Sequence, residues 1–243
     1  MFSYITKLFI GLIYSTTIPS RLSLLKLRRE ANACEKIDEL IELAFNFSFP
    51  LKFNGIKIRP YQVKEEIMEL LKILKSVNPK NIVEIGTAGG GTLFLFAQVA
   101  RSDALLISID LPGGQFGGGY PAWKIPFYKS FARYATQRIE LLRADSHDLN
   151  TLEKVKEILG DAQLDFLFID GDHTYEGVKK DFEMYSPLIR KGGIIAFHDI
   201  VEHPPETCCE VSKFWNEVKQ SYKYREIVKN WNQKWAGIGV LYV

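Results

Sequence analysis

Short apolar runs that alternate with helix-like segments constrain the fold of this chain more than any other feature of its sequence. Each run is nearly continuously apolar, as in LDFLFID, and a helix-like segment follows it. Strands of this kind are buried on both faces, which requires a parallel sheet covered by helices on both sides. The predicted strands lie at 81–86, 104–110, 139–145, 164–169 and 192–199.

The carboxyl-terminal part of the chain departs from this alternation. Two further strand-like runs, at 224–230 and 237–243, leave no room for a helix between them. They should therefore pair as a hairpin and add one antiparallel strand to the sheet. The sequence predicts an α/β fold with a Rossmann-like, seven-stranded, mostly parallel sheet, helices on both faces and a C-terminal antiparallel hairpin. The predicted helices lie at 60–77, 91–101, 125–137, 149–159, 174–189 and 208–221.

Length and composition narrow the class of protein. A chain of 243 residues can bury one sizeable core, which we assign to a domain at 60–243 preceded by a helical extension at 1–59. A net charge of +2 gives no indication of a nucleic-acid partner. The three cysteines, Cys34, Cys208 and Cys209, form neither a disulfide framework nor a metal-ligand pattern. We therefore expect a reducing, cytoplasmic setting.

The first thirty residues are apolar, with five basic residues and one glutamate. Three interpretations are open: a cleaved signal peptide, a helix packed on the body or on a second subunit, and a membrane-surface helix whose basic flank faces anionic lipid. Lys7 interrupts the apolar run and no small-residue cleavage site follows, which disfavours a signal peptide. The run is also shorter than the ~20 residues that span a bilayer. We expect an uncleaved packed helix and a homo-oligomer.

Glycines after the first strand form a candidate ligand-binding loop. In VEIGTAGGGT they let the chain turn tightly and let a ligand approach the backbone, and the N-terminus of the next helix favours a negative group. The dinucleotide fingerprint G-x-G-x-x-G is not matched, because Ala88 occupies the middle glycine position. A tight turn without a ligand is the alternative interpretation.

Acidic and hydroxyl side chains end the next two strands. Asp110 lies 24 residues after Gly86, where a carboxylate can accept hydrogen bonds from both hydroxyls of a ribose. Asp145 and Ser146 end the third strand and are placed to meet the edge of a base. The alternatives are a helix cap or turn for Asp110, and a capping pair for the other two residues.

Two carboxylates and a histidine end the fourth and fifth strands, in IDGDH and FHD. Ligands bind outside the carboxyl ends of such strands, and Asp170, His198 and Asp199 should converge there if the two strands are adjacent. Crowded carboxylates repel one another unless something neutralises them, and a divalent metal would do so. All four histidines of the chain lie at or just beyond predicted strand ends, which favours the metal. An ordinary hydrogen-bonded cluster is the alternative.

A long glycine-rich, aromatic insertion at 111–131 follows the second strand at the same edge of the sheet. Long loops in this position are usually functional. We interpret Phe116, Tyr120 and Trp123 as candidate parts of a substrate pocket. A loop that packs on its own surface is the alternative.

The motifs VEIGTAGGGT, FLFIDGDHTYEGV and GGIIAFHD resemble class I S-adenosylmethionine-dependent methyltransferases, and more narrowly the divalent-metal-dependent O-methyltransferases of the catechol and antibiotic-glycoside sugar types. The resemblance covers roughly 60–243. It implies S-adenosylmethionine as cofactor, a small-molecule hydroxylated acceptor and a divalent metal, with Mg²⁺ expected and Mn²⁺ or another ion as alternatives. In this family the region corresponding to 1–59 often builds a lid or an oligomer contact.

The resemblance also implies residue roles. Asp170, His198 and Asp199 correspond to the metal-carrying positions, although the family usually has an acid where His198 stands, which leaves its role as a ligand open. Glu84 is expected to hydrogen-bond the glycine loop or the amino group of the cofactor. The expected cofactor-binding residues are Glu84, Gly86, Thr87, Gly89, Gly91, Thr92, Asp110, Asp145 and Ser146.

The remaining role is that of the base that accepts the proton of the acceptor hydroxyl. His173 has an ordinary pKa of about 6.5, near working pH, which suits general-base catalysis. Asp172 is the alternative base or the orienting partner of His173. The competing interpretation is that His173 caps the helix that starts near Thr174.

Two other functions remain compatible with the sequence. A nicotinamide-dependent oxidoreductase could use a similar sheet, and would bind NAD(H) rather than S-adenosylhomocysteine. A non-catalytic S-adenosylmethionine-binding module would keep the cofactor pocket and show no turnover on hydroxylated acceptors. The presence of Asp170, His173 and Asp199 disfavours the second possibility.

Overall fold

The structure is a computed structural model that describes residues 18–47, 58–113, 116 and 118–243, with side chains described from residue 24 onward. The expectations for residues 1–17 lie outside the described residues.

A single seven-stranded sheet organises the chain in the order β3-β2-β1-β4-β5-β7-β6. Strands β1 to β5 pair in parallel, whereas β7 pairs antiparallel with both β5 and β6. The predicted Rossmann-like sheet with a closing hairpin is therefore confirmed. The strands are β1 (Asn81–Ile85), β2 (Leu105–Ile109), β3 (Arg138–Leu142), β4 (Leu164–Ile169), β5 (Ile189–His198), β6 (Lys223–Ile227) and β7 (Ile238–Tyr242).

Eight α-helices of the described residues accompany the strands. They are α1 (Ile18–Ala33), α2 (Ile37–Asn46), α3 (Lys64–Val77), α4 (Gly91–Val99), α5 (Ile125–Lys129), α6 (Leu149–Leu159), α7 (Tyr175–Tyr185) and α8 (Val211–Val218). Short 3₁₀ turns flank α5, α7 and α8.

Five of the six predicted helices are shorter in the structure, including α4 and α7, which lie within the predicted ranges 91–101 and 174–189. α3 begins at Lys64 rather than at residue 60. α5 ends at Lys129 because the chain then turns, and the side chain of Gln137 accepts the backbone amides of Arg133 and Tyr134 in place of helical carbonyls. α8 begins at Val211 rather than at residue 208, since Cys208 has φ +57°, which a right-handed helix does not allow.

Side chains of both sheet faces are buried, which explains why the strands are apolar at nearly every position. On one face, Phe166 and Phe168 of β4 contact Phe96 of α4, with ring centroids 5.2 and 5.3 Å apart. On the other face, Leu167 belongs to a second core with Trp215 of α8. The two layers hold the carboxyl ends of the strands in fixed positions.

The extension before residue 60 packs on the first of these cores. Leu27 and Ala31 of α1 and Ile41 of α2 are buried in it, and Nε of Arg28 donates to the carbonyl of Ser130 at 3.1 Å. This packing agrees with the packed-helix interpretation for residues 24–33. A domain boundary at residue 59 stays a prediction. None of the described helices is long and apolar enough to cross a bilayer.

Candidate active site

A cleft of about 910 Å³ opens at the carboxyl ends of β1, β2, β4 and β5. This is the edge at which ligands bind in open α/β sheets, and the volume is that of a small-molecule site. One part of the cleft is lined by Gly86, Asp110, Asp145 and Ser146, and another by Asp170, His173, His198 and Asp199. The structure thus brings most of the predicted site residues to one cavity.

Gly86 lies at the point where β1 ends against β4. Its φ is +97°, and a Cβ added there would lie 2.0 Å from the carbonyl oxygen of Asp170. The backbone of β1 can approach that of Asp170 only because residue 86 has no side chain. This glycine therefore links the geometry of the loop to the geometry of the acidic cluster.

We expect Gly86→Ala to lower the free energy of unfolding by roughly 2–4 kcal/mol, because it adds a steric overlap to an unfavourable φ. It should also weaken S-adenosylhomocysteine binding, since the loop and Asp170 must move apart. Urea unfolding and calorimetry measure the two effects. Gly160→Ala is the matched control, because Gly160 also has a positive φ but a Cβ added there would meet nothing within 4 Å. Equal losses in both variants would contradict the overlap.

Glu84 lies beneath the loop rather than in the cleft. Only 1% of it is exposed, and its carboxyl accepts hydrogen bonds from the hydroxyls of Thr92 and Ser108. The Ser108 hydroxyl also contacts that of Thr87, at 2.5 Å. Burial raises the pKa of Glu84 to about 8, although these hydrogen bonds act to lower it. A buried, largely neutral carboxyl suits the first predicted role, which is to hold the loop.

Asp110 lies directly after β2 and lines the cleft. Its Oδ2 accepts the backbone amide of Ala88 at 2.7 Å, so the loop after β1 fixes its orientation. Burial raises the pKa of this carboxyl, against the lowering effect of the amide hydrogen bonds from Ala88, Gly119 and Thr87. The carboxylate stays next to the space where the sequence predicts a ribose.

Asp145 and Ser146 also line the cleft, beyond the end of β3. Oδ1 of Asp145 accepts the amide of His147 at 2.8 Å, and the Ser146 carbonyl accepts the hydroxyl of Tyr185 at 2.9 Å. Both residues therefore hold the turn and line the cavity at once. Of the predicted cofactor residues, Glu84, Thr87, Gly89, Gly91 and Thr92 are not part of the cleft lining, and their direct contact with a cofactor stays a prediction.

The predicted metal residues form a compact cluster. Donor atoms of Asp170, His198 and Asp199 lie within 4.8 Å of one another. Nδ1 of His198 is 3.1 Å from Oδ1 of Asp170 and 3.3 Å from Oδ1 of Asp199. Nε2 of Gln62 donates to Oδ2 of Asp170 at 2.8 Å, which turns Oδ1 towards the histidine. Sequence reasoning missed Gln62, which it placed in a predicted helix.

The carboxylates and imidazoles of the cluster lie close enough to shift one another's pKa. Burial raises the pKa of Asp170 and of Asp199, but neighbouring imidazoles, His198 first, outweigh it and hold both below their usual range. Burial lowers the pKa of His198, but the charges of Asp199 and Asp170 raise it well above its ordinary value. The carboxylates and imidazoles of the cluster therefore stabilise one another's charged forms.

His173 stands between the two carboxylates. Its Nε2 is 3.4 Å from Oδ1 of Asp170 and its Nδ1 is 3.3 Å from Oδ2 of Asp199. Burial lowers its pKa, but the hydrogen bonds to Asp170 and Cys209 and the charges of both carboxylates raise the pKa to about 10. The ring of Phe116 stacks on the imidazole with centroids 4.8 Å apart.

Asp172 has a different position. Its Oδ1 accepts the backbone amide of Thr174 at 2.9 Å, and its carboxyl packs where a side chain of Gly177 would lie. Thr174, rather than His173, caps α7, because its hydroxyl accepts the amide of Gly177 at 3.0 Å. The structure therefore places His173 in the cluster and Asp172 at the start of the helix.

Sequence reasoning noted His203 and Cys209 but gave them no role. Nε2 of His203 is 3.1 Å from Oδ1 of Asp199. Burial lowers the pKa of His203, but hydrogen bonds to Asp199 and Cys209 raise it to about 9. Burial raises the pKa of the Cys209 thiol, but hydrogen bonds from His173 and His203 lower it below its usual value. Only the folding of 199–210 back over the strand ends brings these groups together.

Aromatic side chains line the outer part of the cleft. Phe116 is among them, as the insertion predicted, whereas Tyr120 is buried against Tyr128 and, like Trp123, is not part of the described lining. Tyr61 and Trp235 line it as well and are 71% and 45% exposed. Sequence reasoning missed Tyr61 and Trp235. Their exposure, which would have identified them, is visible only in the structure.

Comparisons with known proteins agree with this geometry. Residues 83–200 match a family described as a methyltransferase domain. A protein of Sinorhizobium fredii is 26% identical over 130 residues, which are 52% of this chain and 14% of that protein. The tapetum-specific methyltransferase 1 of Arabidopsis thaliana is 28% identical over 134 residues, which are 55% of this chain and 52% of that protein.

A solved structure gives the same fold. The O-methyltransferase from Bacillus cereus in complex with SAH superposes with a TM-score of 0.56 at 16% identity, over 96% of each chain. At this identity the likeness concerns the fold alone. The matched regions of the Sinorhizobium and Arabidopsis relatives span about half of their length or less.

Proposed function

We propose that this chain is a class I S-adenosylmethionine-dependent methyltransferase and that it methylates a hydroxyl of a small molecule. The match of residues 83–200 to a methyltransferase domain supports this proposal. The observation that carries this proposal is the shared cleft of Asp110, Asp170, His173 and Asp199. A carboxylate suited to a ribose and a cluster suited to a hydroxyl group open into the same cavity. Asp110 would suit the ribose of a nicotinamide cofactor as well, so the cluster of Asp170, His173 and Asp199 is what favours methyl transfer over a nicotinamide-dependent oxidoreductase.

The loop after β1 and Asp110 would hold the cofactor. Bound there, S-adenosylmethionine supplies the methyl group. Asp110 accepts the ribose hydroxyls with an orientation set by the amide of Ala88, and the backbone near Gly86 leaves room for the amino-acid part. Asp145 and Ser146 would meet the base at the far side of the cleft.

Asp170, His198 and Asp199 fit a divalent cation. Their two carboxylates lie within 4.8 Å of each other and offer the oxygen donors that Mg²⁺ or Mn²⁺ prefer, and Gln62 orients the first of them. Such a cation supplies positive charge that lowers the pKa of a nearby hydroxyl and fixes its orientation. The alternative, a purely hydrogen-bonded cluster, is tested by the Asp170 variant discussed below.

His173 is the proposed base. Its Nε2 faces Asp170 at the rim of the cluster, and stacking on Phe116 fixes the plane of the ring. A cation held by Asp170, His198 and Asp199 would lower the pKa of His173 from about 10, and the neutral ring could then accept the proton of the acceptor hydroxyl at Nε2 while the oxygen attacks the methyl group. Asp172 is bound to the start of α7 and is the less suitable base.

The aromatic residues around the outer cleft indicate the class of acceptor. Tyr61, Phe116 and Trp235 offer flat apolar faces next to a polar cluster. Such a lining suits a ring-shaped molecule that carries hydroxyl groups, such as a catechol, a sugar or another natural product. The presence of a catalytic cluster next to this surface supports an enzyme rather than a non-catalytic binding module.

We expect S-adenosylhomocysteine to bind and NADH not to bind in isothermal calorimetry. Asp110→Asn should weaken S-adenosylhomocysteine binding by roughly 10–100-fold, because it removes a charged acceptor from two hydroxyl groups. Asp103→Asn is the matched control, since Asp103 pairs with Arg101 and Lys80 at the surface before β2. NADH binding without S-adenosylhomocysteine binding would overturn the proposal. Absence of turnover across hydroxylated acceptors despite tight cofactor binding would favour the binding module.

A further inference from the structure

Asp199 directs its two carboxylate oxygens towards different groups. Oδ1 lies 3.3 Å from Nδ1 of His198, whereas Oδ2 lies 3.3 Å from Nδ1 of His173. Donor atoms of His173, Asp199 and Cys209 lie within 4.8 Å of one another, as do those of Asp170, His198 and Asp199. The described residues therefore contain two possible ligand sets that share one carboxylate.

The two sets differ in the type of donor. The set of Asp170, His198 and Asp199 has two carboxylates and one imidazole, which suits a hard cation. The set of His173, Asp199 and Cys209 has an imidazole, a carboxylate and a thiol. Both sets contain an imidazole, but only the second has a thiol, and thiolate is a ligand that zinc-type transition-metal ions prefer and that Mg²⁺ does not use.

One donor–donor distance in the second set matches a tetrahedral ion. Bonds of about 2.0–2.2 Å from zinc to nitrogen and oxygen place two such donors about 3.3–3.5 Å apart at the tetrahedral angle. The measured separation between Nδ1 of His173 and Oδ2 of Asp199 is 3.3 Å. A cation could therefore enter between these atoms with little movement of the chain.

Neighbouring contacts hold the three donors in place. The amide of Glu210 donates to the carbonyl of His173 at 2.7 Å and so fixes the segment that carries Cys209. The amide of Ala236 donates to Oδ1 of Asp199 at 3.0 Å. The ring of Phe116 restricts that of His173. A site whose ligands are held by their surroundings loses little entropy when it binds an ion.

We propose that His173, Asp199 and Cys209 form a second metal site that binds a zinc-type transition-metal ion. The site shares Asp199 with the set of Asp170 and His198 but takes its other ligands from His173 and Cys209. The ion displaces the proton of the thiol and any proton on Nδ1 of His173. His203 lies 3.1 Å from Asp199 and acts as an orienting partner.

Occupation of this site has a consequence that rests on the proposed function. An imidazole whose Nδ1 is bound to a metal carries its remaining proton on Nε2 and cannot accept another one there. A zinc-type ion should therefore inhibit methyl transfer that is measured with Mg²⁺. The second site would act as a metal-dependent switch on the base.

Cobalt titration of the reduced, chelator-treated protein tests the site without any substrate. Wild type should develop a thiolate-to-cobalt charge-transfer absorption that Zn²⁺ abolishes by competition. Cys209→Ser should lose this absorption and bind Zn²⁺ roughly 100-fold more weakly or worse, with unchanged S-adenosylhomocysteine affinity as the check on folding. Cys208→Ser is the matched control, because Cys208 is adjacent and exposed and belongs to neither set.

Three outcomes overturn the proposal: no thiolate absorption in wild type, its persistence in Cys209→Ser, or its loss in Asp170→Asn, which would indicate a single centre. Inhibition of turnover by Zn²⁺ in Cys208→Ser but not in Cys209→Ser would support the switch. Because the absorption needs no catalysis, it decides on the site even if methyl transfer is not observed.

Discussion

Asp170→Asn is expected to lower methyl transfer by at least about 10²–10³-fold, because a divalent cation at a reacting oxygen contributes several kcal/mol. The substitution removes one of two negative charges from the cluster but keeps the shape of the side chain. Asparagine can still accept the hydrogen bond that Gln62 donates to Oδ2. The variant should therefore fold, bind S-adenosylhomocysteine and fail to bind Mg²⁺ or Mn²⁺.

Three measurements check this expectation: turnover with and without a chelator, calorimetric titration of Mg²⁺ and Mn²⁺, and thermal unfolding. Chelation should abolish the activity of wild type, and Mg²⁺ or Mn²⁺ should restore it. Asp161→Asn is the control, since it removes an exposed carboxylate outside the cleft. Full activity of exhaustively chelated wild type would show that the cluster works through hydrogen bonds alone.

The sheet could be predicted from the sequence because the constraints on its strands are local. A strand buried on both faces must be apolar throughout, and a connection too short for a helix must be a turn between antiparallel strands. The order of strands then places Asp110, Asp170 and Asp199 at one edge. Residues that directly end a strand were therefore correctly brought together at the cleft.

The ends of several helices could not be predicted in this way. Side-chain contacts decided them, as with Gln137, whose Oε1 accepts the amides that would have continued α5 while its Nε2 donates to the carbonyls of Ala97 and Arg101. The left-handed conformation of Cys208, which delays the start of α8, leaves no pattern in the sequence either. Local periodicity carries no information on such tertiary contacts.

The contributions of Gln62, His203 and Cys209 to the site were missed for a related reason. Gln62 is far in sequence from Asp170. His203 and Cys209 belong to the loop after β5, and only the fold-back of that loop brings their side chains to Asp199. Glu84 was expected to hydrogen-bond the glycine loop or the amino group of the cofactor; its side chain is buried and bonded to Thr92 and Ser108, and contact with a cofactor stays a prediction. Strand position predicts the edge, whereas the direction of a side chain requires the structure.

His173→Ala is expected to slow the chemical step by roughly 10²–10⁴-fold, which is the usual contribution of a general base. His173 is the residue whose ring nitrogens face both carboxylates, at 3.4 Å and 3.3 Å, without capping α7. The variant leaves Asp170, His198 and Asp110 in place, so the affinities for S-adenosylhomocysteine and Mg²⁺ should change little. The loss should therefore appear in kcat, which single-turnover assays with Mg²⁺ and without zinc can isolate.

Two other variants test whether the loss of activity in His173→Ala comes from the loss of proton transfer. His173→Gln keeps much of the side-chain volume against Phe116 but has no basic nitrogen, so it should be about as slow as His173→Ala if proton transfer is lost. Recovery of activity in His173→Gln would instead indicate a packing role. Asp172→Asn should affect mainly the start of α7, because Oδ1 of Asp172 accepts the amide of Thr174. If Asp172→Asn stopped turnover while His173→Ala did not, the base would be Asp172.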